Sequence, residues 1–227
     1  MEASRHISVA IDGPSGAGKS TLARAAAGQL NLIYVDTGAI YRTAALHLLR
    51  RGLEPGDAAA ASLLPEIGIA IAHDGGGLQR MILNGEDVTG LIRTQEVSMA
   101  ASAMSAHPAV RAFLLEMQRD MAKKHSVIMD GRDIGTVVLP DADVKIFLTA
   151  GSEARARRRW LELCQRGTPR DFDQLLRETR ERDENDMNRA AAPLRPAADA
   201  VTLDTTEISF EESLARVIEL IRGRTGL

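Results

Sequence analysis

The chain has 227 residues, of which 44% are hydrophobic and 26% are charged, a composition typical of a globular protein with one substantial core. Its formal net charge of −3 excludes a generally basic surface, so we expect neither nucleic acid nor a membrane as a partner. A single cysteine excludes an internal disulfide or a cysteine metal cluster, and without an apolar leader or a membrane-length apolar run we expect a cytoplasmic protein.

A glycine-rich loop follows the first predicted strand, at 7–11, and precedes a predicted helix at 21–30. Its residues, Gly13-Pro14-Ser15-Gly16-Ala17-Gly18-Lys19-Ser20, match the phosphate-loop pattern G-x-x-x-x-G-K-[ST] in the strand–loop–helix context that the pattern requires. In such a loop the main-chain N–H groups and the helix dipole face an anion. We therefore expect residues from Gly13 to Thr21 to bind nucleotide phosphates, with Lys19 on the outer phosphates and Ser20 on Mg²⁺. The alternative is a glycine turn with a solvated lysine.

The remaining pattern alternates between apolar runs and amphipathic segments. It predicts strands at 32–35, 67–72, 78–83, 126–130, 144–148 and 201–204, and helices at 39–51, 57–64, 94–104, 108–124, 152–166, 171–187 and 210–223. Gly52 and Pro65 stop two of these helices, and Pro108 begins another. Strands separated by helices predict an α/β fold, a parallel sheet with helices on both faces.

The stretch at 66–93 departs from this alternation. Its two predicted strands are bounded by the turn signals Asp74-Gly75-Gly76-Gly77 and Asn84-Gly85, which favour antiparallel hairpins. We expect a small antiparallel insert within the parallel fold.

Several polar residues follow predicted strands, where ligands of parallel sheets bind. Asp36, Thr37, Tyr41 and Arg42 stand at the start of one helix, which indicates either a second anion site or only a capped helix with a surface arginine. Asp130-Gly131-Arg132-Asp133 follows another strand. An acid here could be a base, orient metal-bound water or pair with an arginine at a turn.

The stretch 153–189 contains ten arginines, at 155, 157, 158, 159, 166, 170, 177, 180, 182 and 189, and nine acids. Because ten minus nine leaves a net charge of only about +1, the stretch lacks the positive excess of a nucleic-acid-binding surface. We expect helices with many ion pairs between their side chains. Three or four of the arginines are expected to bind a phosphate ligand.

Further motifs follow the phosphate loop in order: Asp36-Thr37-Gly38-Ala39-Ile40-Tyr41-Arg42, Ile92-Arg93-Thr94-Gln95-Glu96-Val97, Asp130-Gly131-Arg132-Asp133-Ile134-Gly135-Thr136, Glu181-Arg182-Asp183 and Asn188-Arg189-Ala190. With these motifs the chain resembles the bacterial cytidylate kinases over nearly its whole length. The resemblance implies transfer of the γ-phosphoryl group of ATP, with Mg²⁺, to CMP or dCMP. It also implies a monomer with the P-loop nucleoside-monophosphate-kinase fold: one domain, 1–227, with a five-stranded parallel sheet, an insert at 66–93 in the monophosphate-binding part and a helical lid at 152–190.

The resemblance also implies individual roles. It places the acceptor phosphate against Arg42, Arg132 and Arg189, with Thr37 and Tyr41 close by. It places the base against Ser102, Arg111 and Asp133, and the ribose near Arg182 and Asp186. Asp130 is expected at the substrate site, where it or Asp36 would orient waters on the metal. The catalytic cations are expected to be Lys19, Arg132, Arg189 and a lid arginine chosen from 155 and 157–159, for which we take Arg158.

Three other functions fit parts of the pattern. A kinase of the same fold could act on UMP or a small alcohol. A nucleotide switch or partner-driven ATPase would share the phosphate loop, although the chain lacks the guanine-reading Asn-Lys-x-Asp pattern. An RNA-binding protein would use the arginines, which the charge balance disfavours.

Overall fold

A computed structural model of the chain describes residues 6–53, 58–74 and 79–227. The strands are β1 (Ser8–Asp12), β2 (Ile33–Asp36), β3 (Ile69–His73), β4 (Gln79–Leu83), β5 (Glu86–Asp87), β6 (Val127–Gly131), β7 (Val144–Thr149) and β8 (Val201–Asp204). The helices are α1 (Lys19–Leu30), α2 (Thr37–Arg50), α3 (Gln95–Met104), α4 (Pro108–Lys124), α5 (Ser152–Gln165), α6 (Phe172–Asn188) and α7 (Phe210–Thr225).

Five of these strands form a parallel sheet in the order β2-β6-β1-β7-β8. Each of its two faces packs against helices through its own apolar core. One core joins the sheet to α2, α3, α4 and the insert, and the other joins it to α1 and α7. The predicted α/β architecture is confirmed. It brings the ends of β1, β2 and β6 to one edge, because all five strands run in the same direction.

The insert is an antiparallel sheet, as the turn signals predicted, and it has three strands, β3-β4-β5, where the sequence predicted two. Asn84 and Gly85 both have positive φ angles, 50° and 88°, and join β4 to β5 with Leu83 opposite Glu86. These are the angles that a two-residue turn of the I′ type requires. Residues 75–77 of the other predicted turn, with Leu78, lie outside the described residues.

The prediction that Pro65 stops a helix is wrong. A 3₁₀-helix spans Ala58–Glu66 and includes Pro65, because a proline within the last turn leaves only a terminal hydrogen bond unmade. Asp57, the predicted first residue, lies outside the described residues. A π-helical turn at Ile134–Val138 was not predicted, since nothing in its apolar sequence distinguishes it from a strand or loop.

Candidate functional site

A cleft of about 650 Å³ opens at the carboxyl edge of the parallel sheet. The phosphate loop forms one wall, and the start of α2 with residues from α3, α4 and the segment after β6 forms the other. Parts of α5 and α6 and the loop after β8 complete it. Its lining carries seven cationic side chains and five carboxylates, so an anionic ligand would find an excess of positive charge.

Lys19, the first residue of α1, is buried in this wall and only 5% exposed. Its ammonium donates a hydrogen bond to the main-chain oxygen of Pro14 at 2.8 Å, so the side chain arches over the loop. Burial, reinforced by the nearby Arg132 guanidinium, lowers the pKa of Lys19 to about 7. An anion bound in the loop would raise the pKa again, because an opposite charge favours the ammonium.

Gly13 lets the phosphate loop pass close to the neighbouring strand β7. Its φ is +147°, and a Cβ atom there would lie 1.9 Å from the main-chain oxygen of Leu148. We expect Gly13→Ala to lower the free energy of unfolding by about 3 kcal/mol, since it adds a backbone clash to an unfavourable φ. The control is Gly85→Ala, which also has a positive φ but no atom within 4 Å. Thermal unfolding of the two variants checks this, and equal losses would contradict the close-approach argument.

Asp130 joins the phosphate loop to the end of β6. One carboxylate oxygen accepts a hydrogen bond from the Ser20 hydroxyl and the other from the Tyr34 phenol, each at 2.8 Å. Burial, with the neighbouring Asp36 carboxylate, raises the pKa of Asp130 to about 6. The hydrogen bond from Ser20 directs the Asp130 carboxylate toward the phosphate loop. The main-chain oxygen of Asp130 accepts a hydrogen bond from the Thr37 hydroxyl at 2.7 Å.

The opposite wall is held by ion pairs between arginines and aspartates. Arg42 pairs with Asp36 at 3.0 Å and Arg132 with Asp186 at 2.7 Å. Asp133 pairs with Arg111 on one side and with Arg189, at 3.6 Å, on the other. The sequence alternative of an Asp–Arg pair within the turn after β6 is not what forms, since Arg132 and Asp133 each pair with a distant residue.

These ion pairs leave donors unused. Arg42 Nε and Arg189 Nη2 are buried and have no hydrogen-bond partner among the described residues. Burial also lowers the pKa of Arg189 from its usual value. A buried donor without an acceptor is costly, so this wall gains from an anion that accepts from both guanidinium groups.

The family profile described as cytidylate kinase matches residues 9–223. The chain belongs to the cytidylate kinase family. It is 51% identical to the cytidylate kinase of Caldicellulosiruptor bescii over 95% of this chain and 96% of that protein. It is 49% identical to that of Geobacter sulfurreducens over 97% and 94%. Among solved structures, an uncharacterized protein from Eubacterium ventriosum superposes with a TM-score of 0.53 at 13% identity, over 96% of this chain and all of that one, a likeness of fold alone.

The cleft gathers nearly all of the residues singled out from the sequence. Every predicted site residue except Gly13 and Pro14 lines it. Of the ten arginines between 153 and 189, Arg158, Arg182 and Arg189 line the cleft; the expectation that three or four of them contact a phosphate ligand stays a prediction. Arg158 donates to the main-chain oxygen of Thr205, which lines the cleft in the loop after β8 together with Ile208.

Arg155 has a structural position that sequence reasoning missed. It is 4% exposed and donates to the main-chain oxygens of Ala150 and Ser15 at 2.8 and 3.0 Å. It also forms two hydrogen bonds with Asp183 of α6. Arg155 thus fastens both arginine-rich helices to the phosphate loop. Nothing in the sequence around Arg155 distinguished it from the neighbouring arginines.

Asp12, the last residue of β1, has a role that its position in the sequence did not indicate. Its two carboxylate oxygens accept from the main-chain N–H groups of Ile134 and Gly135, both at 2.7 Å. Burial raises the pKa of this carboxyl to about 6. By holding the start of the π-helical turn, Asp12 fixes the segment that presents Arg132 and Asp133 to the cleft.

Proposed function

We propose that the cleft transfers the γ-phosphoryl group of ATP to CMP or dCMP and releases ADP and the corresponding diphosphate. The observation that carries the proposal is that one cleft holds two facing anion sites, a phosphate loop and a cluster of guanidinium groups. Membership of the cytidylate kinase family supports ATP as donor and a cytidine monophosphate as acceptor.

The donor site is the phosphate loop from Gly13 to Thr21. Its main-chain N–H groups and the start of α1 would bind the β- and γ-phosphates. The Lys19 ammonium would leave Pro14 and bind the outer phosphate oxygens. The base of ATP would lie toward Ile208 and Phe210, where the cleft has apolar side chains.

The acceptor phosphate would lie against Arg42, Arg132 and Arg189. The buried donors of Arg42 and Arg189 that lack a hydrogen-bond partner among the described residues support this placement, and Thr37 and Tyr41 line the same cleft. Ser102, Arg111 and Asp133 would read the cytosine, and Arg182 with Asp186 would lie near the ribose. An acid suits the cytosine site, because its carboxylate accepts from the N4 amine and repels the carbonyl of uracil.

The donor set beside the phosphate loop fits Mg²⁺. Ser20 Oγ and Asp130 Oδ2 lie 2.8 Å apart, and no group of three acidic, histidine or cysteine ligands occurs among the described residues. Mg²⁺ is usually held by one or two protein oxygens together with phosphates and water. Ser20 would bind it directly and Asp130 through water. When bound, the ion would neutralise charge on the β- and γ-phosphates.

Phosphoryl transfer requires mainly positioning and charge neutralisation from the protein. Lys19, Arg132 and Arg189 would surround the equatorial oxygens of the moving group, and Arg158 would join them by leaving Thr205 when the lid closes. We place the lid at 152–190 and the monophosphate-binding insert at 66–93, within one domain. Lid closure would exclude water and so suppress hydrolysis of ATP.

We further propose a monomeric protein that acts in the cytoplasm. No described helix has both the length and the apolar character that crossing a membrane requires. Sedimentation of the purified protein would test the monomer.

The function is tested by ADP formation from ATP with a panel of acceptors. We expect turnover with CMP and dCMP, much lower turnover with UMP, and almost none without an acceptor. Equal turnover with UMP or a small alcohol would favour a different kinase of this fold. ATP consumption independent of any monophosphate would favour a partner-driven ATPase, and salt-sensitive retention on RNA would favour RNA binding.

The lowered pKa of Lys19 gives a second test of the donor site. Burial lowers the pKa of Lys19 to about 7 in the free protein, and a bound polyanion would raise it again. Binding of a non-hydrolysable ATP analogue at pH 7.5 should therefore take up a fraction of a proton, and affinity should fall as the pH rises from 7 to 9. Calorimetry in buffers of different ionisation enthalpy measures the uptake. Proton uptake that persists in Lys19→Met would contradict the assignment.

A further inference from the structure

Gln79, the first residue of β4, connects the antiparallel insert to the parallel sheet. Its side chain is polar, yet the residue is only 9% exposed. The amide oxygen accepts from the main-chain N–H of Asp36 at 2.7 Å, and the amide nitrogen donates to the main-chain oxygen of Asp36 at 3.3 Å. Because β2 is an edge strand, the Gln79 amide occupies hydrogen-bonding groups that a neighbouring strand would otherwise use.

Asp36, whose main chain Gln79 binds, makes two further contacts on the wall of the cleft opposite the phosphate loop. One carboxylate oxygen of Asp36 caps α2 by accepting from Ala39 N at 2.8 Å, and the other accepts from Arg42 at 3.0 Å. A Cβ atom at Gly38 would lie 3.0 Å from Arg42 Nη1, so the guanidinium packs directly against this glycine. Asp36 therefore determines the direction of Arg42, and Gln79 fixes the main chain of Asp36.

We propose that Gln79 is a positioning residue for the acceptor phosphate, acting through Asp36 on Arg42. The inference rests on the proposed function, in which Arg42 meets that phosphate. The alternative is that Gln79 only stabilises the insert. The contacts favour positioning, because the main-chain N–H and the main-chain oxygen that the amide binds both belong to Asp36. Among the described residues of the insert, the hydrogen-bond partner of the amide is the sulfur of Met81, at 3.0 Å.

The test is Gln79→Met, which keeps the length of the side chain and removes both hydrogen bonds. We expect the KM for CMP to rise about 10-fold, the factor that corresponds to the net contribution of roughly one hydrogen bond. The KM for ATP should stay within twofold, because the phosphate loop does not contact Gln79. Calorimetric titration with CMP alone should show the same weakening without turnover.

The matched control is Thr89→Val. Thr89 accepts a hydrogen bond from Met81 N at 2.9 Å, so this variant loses a hydrogen bond to the same strand without touching Asp36. It should leave the KM for CMP unchanged. If it raises that KM as much as Gln79→Met does, the insert acts as a whole and the inference fails. Gln79→Ala provides the same measurement if the methionine variant does not fold.

A double variant distinguishes an effect of Gln79 that acts through Arg42 from an independent effect of Gln79 on CMP binding. If Gln79 acts through Arg42, adding Gln79→Met to Arg42→Met should weaken CMP binding by less than twofold more. A further 10-fold loss would show independent effects and overturn the inference. Failure of the proposed function is distinguishable, because it appears in the unmodified protein as no CMP-dependent ADP formation. Failure of this inference appears as unaltered CMP kinetics in Gln79→Met.

Discussion

Replacing Lys19 with methionine should lower kcat by about 10²–10³-fold, the loss measured when a preorganised donor to transition-state charge is removed. The variant keeps the buried methylenes, so the wall of the cleft stays packed while the ammonium is lost. The KM for CMP should change little, since the acceptor site lies on the opposite wall. Steady-state rates with ATP and CMP varied in turn measure both values.

The control for this prediction is Lys123→Met. Lys123 lies on the exposed face of α4, and its ammonium pairs with Asp120 of the same helix at 3.2 Å. The control should keep the turnover of the unmodified protein. A Lys19→Met enzyme with near-normal kcat would contradict the role assigned to the ammonium. If Lys19→Met raises only the KM for CMP, Lys19 contributes to the acceptor site and not to the donor site.

Asp133→Asn should reduce the preference for CMP over UMP, expressed as the ratio of their kcat/KM values, by about 10–10²-fold. A bidentate base contact discriminates by roughly 1–3 kcal/mol, and each 1.4 kcal/mol is about tenfold. The amide has the size of the carboxylate, but it can turn its N–H₂ toward the uracil carbonyl. Turnover of UMP should therefore rise relative to that of CMP.

The environment of Asp133 also requires a control for charge. The carboxylate lies between Arg111 and Arg189, so neutralising it leaves two cations less compensated and should strengthen phosphate binding generally. Asp120→Asn, on the exposed face of α4, removes one negative charge far from the cleft. If Asp133→Asn alters CMP and UMP kinetics by the same factor, Asp133 does not read the base.

The amino-acid sequence alone was sufficient for the elements whose signals are local. Helix α4 begins at Pro108 and ends at Lys124, as predicted, because proline suits the first position and the apolar period then continues without interruption. The phosphate loop and the turn at Asn84 and Gly85 were also predicted, since a glycine at a fixed offset is what each backbone path requires. Strand–helix alternation then placed the cleft at one edge of the sheet.

Which charged side chain performs which task was decided by the tertiary structure. Arg155 and Arg158 stand three residues apart in one helix, yet the first is fixed to Ser15, 140 positions away, and the second lines the cleft. Three other residues also have roles that depend on hydrogen-bond partners in distant segments, namely Asp12, Gln79 and Tyr34. The sequence determined the phosphate loop and the local elements because hydrogen bonds between near neighbours specify them. The roles of individual arginines and acids depend on which distant segments the packed sheet brings within about 3 Å, the reach of a hydrogen bond.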